Sequence, residues 1–138
     1  MDLDFFKQVN DSLGHAAGDE VLRVVARALS EETRAQDTVA RVGGDEFVAV
    51  LPGLSAAEDL MPVARRIIDR VSAPIAFEEQ MCRVSASIGM TISTHYRHPD
   101  ADQMLADADA ALYAAKRGGR GHAQFFDPQA EATTATPG

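Results

Sequence analysis

Residues 39–51 constrain the fold more than any other stretch. Val39-Ala40-Arg41-Val42 and Phe47-Val48-Ala49-Val50-Leu51 are short apolar β-type segments, separated only by Gly43-Gly44-Asp45-Glu46. Segments this close pair as an antiparallel hairpin, because a parallel pair needs a crossover of a dozen residues or more. Any sheet built here is therefore at least partly antiparallel. The two glycines permit positive φ in the turn and let a ligand come close to the backbone. The adjacent carboxylates oppose the fold: ~4 Å apart at an effective dielectric of ~20, two such charges repel by about 4 kcal/mol. A cation relieves that repulsion, so glycines and acids at a strand tip point to a metal-assisted phosphate site. An ordinary solvated turn accounts for these four residues equally well.

The flanking segments supply helices and further strands. Met1–Asp4 reads as a strand end with Asp2 and Asp4 on one face. A short helix is expected over Phe5–Ser12 with Phe5, Phe6 and Val9 inward, then a glycine-punctuated loop over Leu13–Gly18 in which His15 packs. A helix from Asp19 places Val21, Leu22, Val25, Ala26 and Leu29 on one face. Ser55 is the expected cap of a helix carrying Leu60, Val63, Ala64, Ile67, Ile68 and Val71, kinked or limited in its first turn by Pro62. Cys82–Ser93 alternates with Val84, Ala86, Ile88, Met90 and Ile92 on one side, the pattern of a half-buried strand. Asp100–Arg117 is a helix with Leu105, Ala108, Leu112 and Ala115 inward, stopped by Gly118-Gly119. A last strand is expected near Ala123–Phe126, and the Ala-, Thr- and Pro-rich stretch 128–138 is expected to be disordered. The element order predicts an α+β fold.

Composition sets the outer limits. The 138 residues make one domain with one core, and a formal charge of −8 argues against DNA or RNA polymers as partners. A magnesium nucleotide remains compatible with that charge, since a metal and a few local cations can hold phosphates. Cys82 is the single cysteine, so neither an intrachain disulfide nor a cysteine metal cluster can form. No run of 18 apolar residues suggests a membrane segment, and a cytoplasmic location is expected.

Several segments then fall into one register: Asp2-Leu3-Asp4-Phe5-Phe6-Lys7, Asn10-Asp11, Gly14-His15, Gly18-Asp19, Arg41 to Phe47, Ser87-Ile88-Gly89, Ala108 to Lys116, and Gly118-Gly119-Arg120-Gly121. In that order the chain resembles the GGDEF domain of bacterial diguanylate cyclases, from Asp2 to about Phe126. The resemblance implies a ferredoxin-type sheet like that of nucleotide cyclases and polymerase palms, mostly antiparallel and flanked by helices. It implies that two GTP, one on each subunit of a homodimer, become cyclic di-GMP and two pyrophosphates. By the same analogy Asp2, Asp45 and the Leu3 carbonyl hold Mg²⁺ or Mn²⁺. Glu46 is a further ligand, or the group that helps to deprotonate the ribose 3′-hydroxyl. Asn10 and Asp19 read guanine, whose N1–H and N2–H₂ donors suit a carboxylate and a carboxamide. Gly43 and Gly44 admit the phosphates, and Lys116, Arg120 and Lys7 contact them.

Simpler roles stand beside these. Asp19 suits a helix N-cap, Asn10 a loop bond, and Lys116 and Arg120 the negative end of a helix dipole. Arg34-Ala35-Gln36-Asp37 lies where the family carries an Arg-x-x-Asp product-inhibition site, with cyclic di-GMP as inhibitor and Arg66 (or Arg65) of the partner subunit completing it. The family pattern has a helix, an Asp-x-Leu-Thr-x-Leu-x-Asn-Arg stretch and half a strand before Asp2, and here only Met1 precedes it. The expectation is a GGDEF domain over 1–127 lacking its N-terminal segment. An inactive module that binds GTP or cyclic di-GMP is the alternative. Gly121 stands where the family usually has Asn.

Overall fold

The computed structural model describes residues 1–128. In chain order it holds β1 (Asp2–Asp4), α1 (Phe6–Leu13), α2 (His15–Glu32), β2 (Thr38–Gly43), β3 (Glu46–Val50), α3 (Ala57–Ser72), β4 (Ile75–Phe77), β5 (Gln80–Cys82), β6 (Ser85–Met90), a 3-10 turn over Ser93–His95, α4 (Ala101–Arg117) and β7 (Ala123–Phe125). Five strands form one sheet in the order β2-β3-β1-β6-β7; β4 and β5 pair separately. Every pairing is antiparallel except β6 with β7. The expected α+β class, mostly antiparallel sheet and flanking helices are present. The 128–138 tail lies outside the described residues except for Pro128. No described helix is long and apolar enough to cross a membrane.

The two sheet faces do different jobs. Leu3, opposite Ala86, lies on the apolar face with Phe47, Val84, Ile88 and Met90, in one core with Val21, Val25, Ile67, Ile68 and Val71 of α2 and α3. On the other face Asp2 pairs across from Ser87 and Asp4 from Ser85, and α4 covers them. That cover is tight at Gly89, where an added Cβ would lie 2.0 Å from the Ala108 carbonyl oxygen and 2.4 Å from the Leu112 nitrogen.

Several expectations shift. The strand expected over Cys82–Ser93 is divided: Cys82 belongs to the β4–β5 hairpin, β6 begins at Ser85, and Ser87 is fully buried. β6 is thus covered on both faces, because small residues on α4 let that helix lie close. The loop expected over Leu13–Gly18 shrinks to Gly14 at φ +94, and α2 starts at His15, which is exposed. Gly18 is inside α2 against Asn10 of α1, where a Cβ would sit 1.9 Å from the Asn10 Oδ1. Ala28 replaces Ala26 on the buried face of α2. On α4 the inward face turns to Asp107, Ala111 and Ala115, leaving Leu105 exposed. Asp107 is satisfied there by the half-buried Tyr96 hydroxyl at 2.6 Å and by the exposed Gln103 amide one turn earlier on the helix at 2.7 Å. Phe5 is not on the inner face of α1: it precedes the helix at φ +69 and is exposed. Ser55 does not cap α3, which begins after Ala56 with no side-chain cap and runs on through Pro62.

Candidate functional site

The site is built where the β2–β3 turn meets the central strand. Between Arg41 and Gly43 the ladder shifts register, and Gly44 takes φ +44. Arg41 Nε donates to the Gly44 carbonyl at 2.8 Å and braces the turn. The turn is stitched to β1 by the Leu3 N–H on the Asp45 carbonyl (3.1 Å) and by the Phe47 N–H on the Met1 carbonyl (2.9 Å). Beside Gly43 and Gly44 the space where a Cβ would project is open.

Two carboxylates converge there. Partial burial raises the Asp45 pKa above its ordinary value, and the charge of Asp2 raises it further. Asp2 is buried; its Oδ2 accepts from the Lys116 ammonium, and its Oδ1 is buried with no hydrogen-bond partner. An orphaned carboxylate oxygen beside a second acid that resists ionisation is a set of hard oxygen donors short of positive charge. The donors therefore fit a divalent cation held by Asp2 and Asp45, with the Leu3 carbonyl and Glu46 adjacent in sequence. Among the described residues no cluster of three or more acidic, histidine or cysteine side chains is gathered. Glu46 is exposed, its backbone opposite Asp2.

The remaining expected residues distribute around this centre. Lys116, expected at phosphates, bonds Asp2 from α4. Arg120 lies 3.5 Å from Asp4 Oδ1, its guanidinium 5.9 Å from the Phe5 ring centroid. Lys7 is exposed on α1 and pairs with Asp11 at 3.1 Å. Asn10 packs its carboxamide against Gly18, the residue before Asp19, and Asp19 is exposed. Asp19 stands inside α2 rather than at its start, so the N-cap role is excluded.

A separate cleft of about 520 Å³ opens between the C-terminal end of α2 and β2, lined by Thr33, Arg34, Asp37, Val39, Arg41 and Phe47 among others. The Arg34 backbone N–H donates to Asp37 Oδ2 at 2.7 Å and its guanidinium to Asp37 Oδ1 at 3.1 Å. These bonds hold the Asp37 carboxyl below its ordinary value. Arg66 is engaged elsewhere, on Glu32 at 2.9 Å, while Arg65 is exposed.

Asp4, placed by the strand period on one face with Asp2, has a set of partners that the sequence did not disclose. It is fully buried and accepts from the hydroxyls of Ser85 and Ser87 and from the Gly121 N–H. The period-two placement of Asp4, Ser85 and Ser87 on single strand faces was visible, but the pairing of β1 with β6 that joins them was not.

Residues 1–122 match the family described as "Diguanylate cyclase, GGDEF domain". The chain is 43% identical over 130 residues to the probable diguanylate cyclase DgcE of Escherichia coli, covering 94% of this chain and 12% of that protein. It is 40% identical over 146 residues to the diguanylate cyclase TpbB of Pseudomonas aeruginosa, covering 99% of this chain and 33% of TpbB. Among solved structures it resembles the GGDEF domain of TpbB (YfiN), with a TM-score of 0.83, 40% identity and coverage of 91% of this chain and 78% of that one. It also resembles the GGDEF domain of DgcB from Caulobacter crescentus in complex with c-di-GMP, with a TM-score of 0.78, 30% identity and coverage of 90% and 73%. The chain thus spans a third or less of these two curated relatives.

Proposed function

The chain belongs to the GGDEF diguanylate cyclase family, and from that premise we propose that it condenses two GTP into cyclic di-GMP and two pyrophosphates, one GTP on each of two subunits. The observation that carries the reading is the meeting of Asp2 and Asp45, with one Asp2 oxygen buried and unpartnered and Asp45 held back from ionising. A divalent cation, Mg²⁺ or Mn²⁺, bound by Asp2, Asp45, Glu46 and the Leu3 carbonyl supplies Lewis acidity toward an α-phosphate and lowers the pKa of a bound hydroxyl.

The chain's own groups complete the chemistry. Asn10 and Asp19 pair with the edge of guanine and fix the nucleoside end. The open backbone of Gly43 and Gly44 lets the phosphates lie flat against the turn, and Lys7, Lys116 and Arg120 offset their charge. Glu46 takes the proton from the ribose 3′-oxygen. That oxygen then bonds the α-phosphorus of the partner's GTP as the bond to pyrophosphate breaks, and repetition in the opposite sense closes the ring. Two chains must face each other, so the working form is a homodimer, and a cytoplasmic setting supplies the nucleotide.

Cyclic di-GMP is also the proposed inhibitor, bound in the cleft at Arg34 and Asp37 with Arg66 of the partner subunit. The planar fork of arginine suits a phosphate or the Hoogsteen edge of guanine. The decisive experiment incubates the purified chain with GTP and Mg²⁺ and separates the products chromatographically. Cyclic di-GMP formed by the wild type and abolished by Asp45→Ala is the expected result. Binding of GTP without turnover overturns the reading in favour of a nucleotide-binding module.

A further inference from the structure

That reading leaves one enclosed charge without a task. Asp4 is the only fully buried carboxylate among the described residues. Unlike Asp2, both of its oxygens are occupied. Oδ2 accepts from Ser85 Oγ (2.9 Å), Ser87 Oγ (2.9 Å) and the Gly121 N–H (3.1 Å), and Oδ1 faces Ser87 Oγ (3.1 Å) and Arg120 Nη1 (3.5 Å). A carboxylate so saturated has no lone pair to spare for a cation, yet its burial is costly unless the negative charge is used.

The backbone around it is bent to meet it. Gly119, Arg120 and Gly121 take φ of +119, +64 and +65 in succession. Glycine accepts this freely; for arginine the left-handed region is sterically unfavourable. Three non-glycine residues with positive φ occur among the described residues, and two of them, Phe5 and Arg120, face each other. The guanidinium therefore has two neighbours, the Asp4 carboxylate in an ion pair and the Phe5 ring in a cation–π contact. Backbone strain on both sides of one contact persists only where surrounding interactions enforce it.

We propose that Asp4 is a positioning residue: with the Phe5 ring it clamps the Gly118–Gly121 loop to β1 and fixes the Arg120 guanidinium where the triphosphate of GTP binds. The proposal rests on the nucleotide reading above. It separates the two acids of the Asp-Leu-Asp strand by role. Asp2 is left open to a cation, and Asp4 is spent on an arginine that touches the phosphates.

Calorimetry of the full chain with a nonhydrolysable GTP analogue and with GMP tests it, using Asp4→Asn, Arg120→Ala and the double variant. The Asn variant keeps an oxygen acceptor and the shape while removing the charge. Expected are an about tenfold weaker GTP analogue, GMP affinity within about twofold of wild type, and no further loss when Asp4→Asn is added to Arg120→Ala. Amide exchange at Gly121 should quicken in Asp4→Asn. Equal losses for the GTP analogue and GMP, or losses that add in the double variant, overturn the positioning role. Should Asp4→Asn fail to fold, the exposed Phe5→Leu decides: a selective loss of about threefold for the GTP analogue supports the clamp, and unchanged affinity overturns it. A wild-type chain that binds the GTP analogue no better than GMP overturns the nucleotide reading itself, a result that no Asp4 variant can mimic.

Discussion

At Asp45 two effects oppose ionisation, partial burial first and then the charge of Asp2. Its folded pKa is raised above that of the unfolded chain, so the ionised group weakens folding at neutral pH. The penalty fades as pH falls through the raised value. Asp45→Asn is therefore expected to raise the melting temperature in metal-free buffer at pH 7, with the gain vanishing toward about pH 4. Added Mg²⁺ should reverse the order, stabilising the wild type and leaving Asp45→Asn unmoved. Differential scanning calorimetry at several pH values, with and without the cation, reads both effects. A wild-type melting temperature indifferent to Mg²⁺ would remove Asp2 and Asp45 as a cation site.

At the level of elements, the contact between β6 and α4 is the least forgiving. An added Cβ at Gly89 meets backbone atoms of Ala108 and Leu112, which cannot swing aside as a side-chain tip can. Gly89→Ala should cost about 3 kcal/mol or more in urea denaturation by forcing strand and helix apart. An unchanged midpoint would contradict that packing. The same contact shows what a sequence can and cannot disclose. The hairpin, the long helices and the strand through Ala86, Ile88 and Met90 were legible because each repeats its period over several residues. The β4–β5 pair was not, since three residues per strand are too few for a period, and its turn uses Glu78 at φ +54 instead of a glycine. The inner face of α4 was misread by the rule that apolar side chains point inward. Asp107 is buried with its carboxylate satisfied by Tyr96 and Gln103, and Leu105 is left outside. That Asp2, Asp45 and Gly43-Gly44 meet at one place was legible through family register, whereas the hydrogen bonds of Asp4 depend on a partner strand more than eighty residues away.

For the whole molecule, the proposed chemistry needs two chains, because each nucleotide supplies a hydroxyl to the phosphate held by the other. Rate per chain should rise in proportion to chain concentration while dimers are scarce, then level off as dimers saturate. Initial rates over a dilution series, paired with sedimentation velocity, check this, and a rate per chain independent of dilution would exclude it. Charge works against that association, since each chain carries a formal −8. Contacts between copies must be local and complementary to overcome it.

The bond from Gly121 to Asp4 joins residues 117 positions apart. During synthesis Asp4 leaves the ribosome 117 residues ahead of its Gly121 donor. Until then the strand that carries it lacks the loop after α4, and a nascent chain must keep that acid hydrated. The centre of the sheet is thus the final piece to close, a long-range event of the kind that slows folding. Ribosomal stalling before Gly121 would leave helices already formed around a middle that has yet to assemble.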